Sequence, residues 1–463
     1  MNFVDRVDEL ARLERMSQRP DGALAVIWGR RRIGKTRLLL EWVRRASGVY
    51  WTADQSAPAL QRRSFAETLE LRVPGFGSVE YRDWPTLLQR LARECRQVGF
   101  RGPIVLDELP YLVQVSPELP AALQRFVDQD ARAAGLLEVL AGSSQRMMQG
   151  LVLDHGAPLY GRATEAMNLR ALPAGHLTEG LGLTDPREAV EAWACFGGVP
   201  RYWELAAPFG TLREAVHDVV LDPLGALFDE PSRLLLEELP PAVALRPILD
   251  AVGAGCHRVS EIAGRIGQPA TSLARPLARL QQLDLVIRET PFDEPPRSSK
   301  RSLYKVGDPF LRLWFQLVGL RRSLLMQIPK RARLAFFDAA FPRLVEASWE
   351  ELCRAAVPYL GEELGAQFGP AGRQWSAAGP EWDVLSDSLD GSRLLVGEVK
   401  WTHKRDSSTA LTNAVRALLT KGPPSGSATR SEITRVVFVP EATGDAPPGI
   451  RVVTAADVLR VLR

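Results

Sequence analysis

The sequence contains few cysteines, and their scarcity argues against folds that are stabilised by disulfides or by cysteine-bound zinc. The chain has 463 residues and only four thiols, at Cys95, Cys195, Cys256 and Cys353. They lie far apart and form no Cys-x-x-Cys pair, which disfavours a disulfide framework and a zinc site. The five histidines are likewise scattered without the spacing of metal ligands. We therefore expect a cytoplasmic protein without a cysteine-based metal centre.

Long apolar runs and a strong charge of one sign are also missing. No stretch approaches the roughly 18 apolar residues of a membrane-spanning helix. The opening, MNFVDRVDELARLERM, carries charges throughout and lacks the apolar segment of a secretory signal. The net charge is +3, from 58 Lys and Arg against 55 Asp and Glu, so the whole-chain charge neither favours nor excludes nucleic acid. We expect no membrane partner.

Apolar runs that alternate with helical stretches fill the first third of the chain. Runs at 23–28, 103–106 and 136–141 each end in glycine, serine or acidic residues. This alternation predicts an α/β fold, with a parallel sheet covered by helices on both faces. At about 100–200 residues per domain, the length predicts about three domains.

A complete GxxxxGK[ST] pattern stands between the first apolar run and the following helical stretch. Its residues are Gly29, Arg30, Arg31, Arg32, Ile33, Gly34, Lys35 and Thr36. Glycines let the backbone N–H groups wrap phosphates, and the helix N-terminus favours negative charge. Lys35 is expected to reach the β- and γ-phosphates, and the Thr36 hydroxyl to ligate Mg²⁺. The pattern predicts ATP and Mg²⁺ as cofactors.

The ends of the two later apolar runs supply further candidates. Asp107 is expected to hold Mg²⁺ through water, and Glu108 to polarise the attacking water. Ser143 or Ser144 is placed to sense the γ-phosphate, and a plain turn is the alternative. Arg162 is a candidate arginine finger, acting in cis or from a neighbouring subunit of a homo-oligomer, with a solvated surface arginine as the alternative.

Three further motifs resemble a known family. Residues 3–10 (FVDRVDEL) look like the F-hydrophobic-G-R-x-x-E-L opening of archaeal and bacterial AAA-like ATPases of the STAND group, with Asp5 in place of glycine. Residues 159–162 (LYGR) and 197–202 (GGVPRY) look like two more of its motifs. In the family, the segment around Pro200 lies near the nucleotide base and couples nucleotide state to the next domain.

The resemblance spans nearly the whole chain and implies its domains. It implies a P-loop NTPase core at 1–180 and a helical lid at 181–238. A winged-helix domain would follow at 239–325. An α/β domain of the DUF234 type, similar to restriction endonucleases, would occupy 335–463.

The middle of the chain carries the layout of a helix-turn-helix with a wing. Two helices and two strands are expected at 259–267, 271–283, 285–289 and 302–306. The strands flank a basic loop at 297–301 (RSSKR), which is suited to the DNA backbone. Pro276 is awkward inside the second helix and weakens the prediction that this helix enters a major groove. A lid packed on the ATPase is the alternative.

A short acidic pattern near the C-terminus resembles the PD-(D/E)xK nuclease signature. Strand alternation puts Glu398 and Lys400 on one face, near Asp383 on the preceding strand. Two carboxylates suit Mg²⁺ or Mn²⁺, and a lysine can orient or deprotonate water. In that fold the preceding helix supplies a glutamate, for which we choose Glu350, with Glu346 as the alternative. A degenerate core used only for binding is the competing interpretation.

Three functions follow from these patterns. The first is an ATPase coupled to DNA binding and to metal-dependent DNA cleavage. The second is a nucleotide-controlled DNA-binding or signalling scaffold with an inactive nuclease-like domain. The third is a protein-interaction ATPase that binds no DNA. The DNA substrate, the oligomeric state and the pathway are left open.

Overall fold

The computed structural model divides the chain into two compact units. Residues 5–171 form the N-terminal unit, and residues 172–463, with the first four, form the C-terminal unit. The structure describes residues 3–152, 154–238, 245–292, 294–295, 301–375, 380–403, 408–422, 424, 430, 432–442 and 446–463. The domain borders at 180, 238 and 325 stay predictions.

A parallel five-stranded sheet forms the centre of the N-terminal unit. Its strands are β1 (Ala23–Trp28), β2 (Val49–Thr52), β3 (Pro103–Asp107), β4 (Leu137–Gly142) and β5 (Glu165–Asn168), in the order β2-β3-β4-β1-β5. Every neighbouring pair is parallel. The predicted parallel sheet and its three apolar strands are confirmed. Because all carboxyl ends meet at one edge, the loops after β1, β3 and β4 lie together there.

Eight α-helices belong to the described part of this unit. They are α1 (Val7–Ser17), α2 (Lys35–Arg45), α3 (Pro58–Leu69), α4 (Trp84–Val98), α5 (Leu109–Val115), α6 (Leu119–Arg125), α7 (Arg132–Ala134) and α8 (Gln145–Val152). Helix α4 shows how the sequence sets such an element. Asp83 caps its start by accepting the Thr86 N–H at 2.8 Å. Leu87, Leu91 and their neighbours at helical spacing are buried in the core, and Gly99 ends the helix in the left-handed region.

The C-terminal unit begins with helices in its described residues. They are α9 (Leu177–Leu181), α10 (Pro186–Phe196), α11 (Pro200–Ala206), α12 (Leu212–Val216) and α13 (Glu230–Glu238). Gly197, at φ +55°, ends α10. Pro200 then opens α11, where a missing N–H costs nothing.

Helices α14 (Arg246–Gly253), α15 (Val259–Ile266) and α16 (Ala274–Gln282) precede a hairpin of β6 (Val286–Glu289) and β7 (Leu303–Val306). The prediction of one helix over 271–283 was wrong at its start. A 3₁₀ turn covers Ala270–Leu273, and Pro276 is the third residue of α16. The proline therefore lies in the first turn, whose N–H groups need no partner within the helix. The basic residues 297–300 lie outside the described residues.

A second sheet lies near the end of the chain. Its strands are β8 (Gly372–Gln374), β9 (Trp382–Asp387), β10 (Arg393–Val399), β11 (Glu432–Phe438) and β12 (Ile450–Val453), in the order β12-β11-β10-β9-β8. The helices of this part are α17 (Pro309–Trp314), α18 (Arg322–Leu325), α19 (Lys330–Ala356), α20 (Gly361–Leu364), α21 (Ser408–Thr420) and α22 (Ala455–Val461). β8 to β10 pair antiparallel, whereas β10 to β12 pair parallel.

A further apolar core belongs to this second sheet. Side chains of α21 pack on β9, β10 and β11 to form it. Among the described residues, no helix combines the length and apolar character needed to cross a bilayer.

Candidate functional site

The glycine loop connects the buried strand β1 to the start of α2. Gly29 has φ +154° and Gly34 has φ +95°. A Cβ on Gly29 would lie 2.5 Å from the Leu169 carbonyl oxygen, so only glycine fits there. The predicted residues from Gly29 to Gly34 therefore form the loop between β1 and α2, and Lys35 and Thr36 begin the helix, whose first N–H groups face the loop.

Lys35 is the first residue of α2 and is 6% exposed. Its Nζ donates to the carbonyl oxygens of Gly29, at 2.6 Å, and Arg30, at 3.1 Å. These bonds hold the ammonium group against the loop that would cradle phosphates. The position suits the phosphate contact expected of Lys35.

Asp107 ends β3 and is 2% exposed. Its Oδ2 accepts the Thr36 hydroxyl at 3.2 Å and the Tyr50 hydroxyl at 2.6 Å, and its Oδ1 accepts the Glu108 N–H at 2.8 Å. Burial and the Asp107 charge raise the pKa of Tyr50 well above its ordinary value. A hydroxyl and a carboxylate side by side are the hard oxygen donors that Mg²⁺ prefers, so these residues fit the ion.

Glu108 and Ser143 meet at the same sheet edge. The Ser143 hydroxyl donates to Glu108 Oε2 at 2.9 Å. Ser144 instead lies by the start of α8, with its Oγ 3.5 Å from the Met147 nitrogen. Of the two serines, Ser143 therefore contacts the candidate catalytic carboxylate.

Arg162 lies at the other edge of the sheet. The Thr164 N–H donates to the carbonyl of Leu24, near the amino end of β1, whereas the glycine loop follows its carboxyl end. The Arg162 guanidinium binds both oxygens of Asp128, at 2.8 and 2.9 Å. The length of β1 thus lies between Arg162 and the glycine loop of the same chain, and action in cis is not supported by this placement. Action from a neighbouring subunit stays a prediction.

The opening motif braces the glycine loop. Asp5 and Arg6 have φ +58° and +67°, so Asp5 adopts the left-handed conformation that glycine usually provides. Arg6 donates to the carbonyls of Ile33, at 2.9 Å, and Arg170, at 2.7 Å. The motif marked this segment, but nothing in the sequence indicated the contact of Arg6. Pro200 belongs to the other unit, and its placement near the base stays a prediction.

The C-terminal candidates come together where β9 and β10 pair. Asp383 Oδ2 accepts the Val399 N–H at 3.0 Å. Glu398 is 2% exposed, and Lys400 Nζ lies 2.7 Å from its Oε1. Lys421, just after α21, contacts its Oε2. The predicted pair of Glu398 and Lys400 on one face is thus formed.

Glu350 approaches this group from α19. Burial raises the pKa of Glu350, and the Asp383 charge raises it further. Burial and the charge of Glu398 likewise raise the pKa of Asp383. Repulsion of this kind favours a cation between the carboxylates. The alternative, Glu346, lies 3.7 Å from His403 and is half exposed.

Two positively charged side chains of this site were not predicted from the sequence. Lys421 pairs with Glu398 across 23 residues of sequence. Arg354 lies 3.5 Å from Glu350 and donates to the Asp383 carbonyl at 3.1 Å. In the sequence, only the position of Arg354 four residues after Glu350 in a predicted helix could have indicated that these side chains are neighbours.

Another group in the described chain brings three possible ligands within 4.8 Å of one another, namely His217, Asp218 and Asp222. Lys330 lies 3.4 Å from Asp218, and Arg333 lies 3.1 Å from Asp222. We assign no metal to this group, because acidic side chains commonly lie this close together without an ion. The ligand atoms of Glu350, Asp383 and Glu398 do not all lie within this distance of one another, and Asp383 and Glu398 stay the predicted direct ligands.

Comparisons with known proteins agree with the N-terminal geometry. Residues 3–205 match a family described as an ATPase domain predominantly from Archaea. Residues 314–411 match DUF234, described as archaeal and bacterial proteins of unknown function. An uncharacterised protein of Methanocaldococcus jannaschii is 27% identical over 415 residues, covering 87% of this chain and 88% of that protein.

Solved structures match as well. A Walker-type ATPase of Pyrococcus abyssi is 19% identical, with a TM-score of 0.52, over 68% of this chain and 96% of that one. The ORC2 protein of Aeropyrum pernix is 14% identical, with a TM-score of 0.44, over 75% of this chain and 96% of that one. The first similarity supports the fold alone, and the second is too weak to support an argument.

Proposed function

We propose that this chain, whose residues 3–205 match an archaeal ATPase family and whose residues 314–411 match DUF234, couples ATP hydrolysis to DNA binding and metal-dependent DNA cleavage. In the N-terminal unit, Lys35 would bind the β- and γ-phosphates while Thr36 and Asp107 hold Mg²⁺. The ion neutralises charge on the phosphates. Glu108, fixed by Ser143, would orient the attacking water.

DNA contact is proposed for the winged-helix layout at 239–325. Helices α15 and α16 followed by the β6–β7 hairpin give the order of elements that such domains use. In the sequence, the basic residues 297–301 lie between β6 and β7, and such residues suit phosphate contacts.

The hairpin also touches the group around Glu350. Glu289 of β6 lies 2.7 Å from Lys305 of β7 and 3.7 Å from Arg354. Arg354 is the same side chain that contacts Glu350 and the Asp383 carbonyl. DNA held along this hairpin would therefore lie close to the proposed cleavage site.

The observation that carries the nuclease proposal is the paired arrangement on β9 and β10. Asp383, anchored on the Val399 N–H, and the buried Glu398 are hard oxygen donors on adjacent strands. A bound Mg²⁺ or Mn²⁺ would polarise the phosphodiester. Lys400 is 41% exposed at its side chain, so it can reach a water molecule or phosphate while staying near Glu398.

A cleavage assay tests this proposal. Linear and circular DNA are incubated with the purified chain, with and without ATP and Mn²⁺, beside Lys400→Ala, Asp383→Ala and Lys35→Ala. We expect Lys400→Ala to lower cleavage by at least about a hundredfold, because water activation is lost, while ATP hydrolysis continues. Lys330→Ala, a change of an exposed lysine outside the site, is the matched control. Unchanged nicking by Lys400→Ala would refute the assignment.

A scaffold without cleavage is the second candidate, and one observation favours it. Both oxygens of Glu398 contact lysines, Lys400 and Lys421, so the carboxylate is already neutralised without an ion. This function predicts DNA binding with no Mn²⁺-dependent product in the same assay.

A further inference from the structure

Tyr50 reaches the candidate Mg²⁺ site from a strand that no motif marked. It lies on β2, beside β3, with Thr52 opposite Asp107 in the register. Its hydroxyl donates to Asp107 Oδ2 at 2.6 Å, shorter than the 3.2 Å from the Thr36 hydroxyl to the same oxygen. Of the two hydroxyls, Tyr50 therefore holds the closer contact with this carboxylate.

Three donors fix the orientation of the Asp107 carboxylate. Oδ1 accepts the Glu108 N–H at 2.8 Å, and Oδ2 accepts the two hydroxyls. The backbone donor and Thr36 both belong to segments that contact nucleotide in P-loop ATPases. Tyr50 is the donor from outside those segments, so it can hold the carboxylate independently of them.

We infer that Tyr50 is a positioning residue for Mg²⁺ in ATP hydrolysis, acting through Asp107. This inference rests on the proposed use of Mg²⁺ by Thr36 and Asp107. Groups that orient a metal ligand contribute strongly, since their removal typically costs about 10–100-fold in metal affinity or activity. Without the hydroxyl, the Asp107 carboxylate can rotate away from the Thr36 side chain.

The test measures the Mg²⁺ dependence of nucleotide binding, without reference to turnover. A fluorescent ATP analogue is titrated into the full chain at increasing Mg²⁺, and Mn²⁺ binding to the complex is followed by electron paramagnetic resonance. For Tyr50→Phe we expect the Mg²⁺ concentration for half-maximal binding to rise by about tenfold, with binding in the absence of Mg²⁺ unchanged.

Tyr81→Phe is the matched control, because its hydroxyl donates to the Phe76 carbonyl away from the loop. Thermal melting of each variant without nucleotide checks folding, and Tyr50→Leu is a second variant with the same expected shift. A Tyr50→Phe protein that melts like the wild type and keeps the wild-type Mg²⁺ requirement overturns the inference. Absence of Mg²⁺-dependent binding by the wild type instead overturns the ATPase proposal, and this inference with it.

Discussion

At the scale of single residues, Glu138 stands apart from the chemistry proposed above. It lies on β4 and is 4% exposed, and its Oε1 has no hydrogen-bond partner among the described residues. Burial raises its pKa to about 8, from an ordinary 4.5. A carboxyl of this kind stays protonated in the folded state at neutral pH, because ionising it there would bury an unpaired charge.

This raised pKa predicts a loss of stability with rising pH. Unfolded Glu138 ionises near 4.5, so its contribution to stability is fully present below that pH and is lost as pH rises through about 8. The loss approaches about 1.4 kcal/mol per pH unit within this window. Glu138→Gln should remove this pH-dependent loss of stability. The melting temperature of the variant should therefore rise relative to that of the wild type between pH 6 and pH 8.

Denaturation of both proteins at several pH values measures the difference. Glu80→Gln, at an exposed position, controls for the loss of one acidic side chain. If the difference in melting temperature between the wild type and Glu138→Gln stayed constant across this pH range, the prediction would be contradicted.

Secondary-structure elements differed in how well the sequence predicted them. Strands β1, β3 and β4 are buried almost throughout, so β1 and β3 appeared as apolar runs and β4 as an apolar run interrupted only by Glu138. β2 and β5 have only four residues each and mixed burial. Their strand conformation depends on pairing with β3 and β1. A local sequence pattern cannot predict such pairing.

Strand β10 offers a test of packing at this scale. Gly397 lies opposite Val384 of β9 and Val436 of β11. A Cβ there would lie 2.9 Å from the Val384 Cβ and 3.0 Å from the Val436 Cγ1. Gly397→Ala should therefore destabilise the second sheet by about 1–3 kcal/mol through overpacking, while ATP binding by the N-terminal unit persists.

Calorimetry with parallel nucleotide titration checks this expectation. Gly422→Ala is the control, since a Cβ at that position meets no described atom within 4 Å. Equal unfolding temperatures for the two variants would show that β10 tolerates the added methyl group.

At the scale of the whole molecule, the sequence located both candidate sites but not the residues that support them. Asp107 and Glu398 were predicted because each belongs to a local motif. Tyr50, Lys421 and Arg354 were missed, although each contacts a predicted residue or its backbone. Tyr50 and Lys421 come from elements far along the chain from their partners, so only the tertiary fold brings them together.

The coupling of the two sites is most directly tested by the rate of DNA cleavage with Mn²⁺ in the presence and absence of ATP. Couplings between sites are typically worth about 5–150-fold. We predict that ATP changes the cleavage rate of the wild type by at least about fivefold. The cleavage rate of Lys35→Ala should not respond to ATP, because this variant lacks the ammonium group that would bind the phosphates. Equal wild-type cleavage rates with and without ATP would contradict the account.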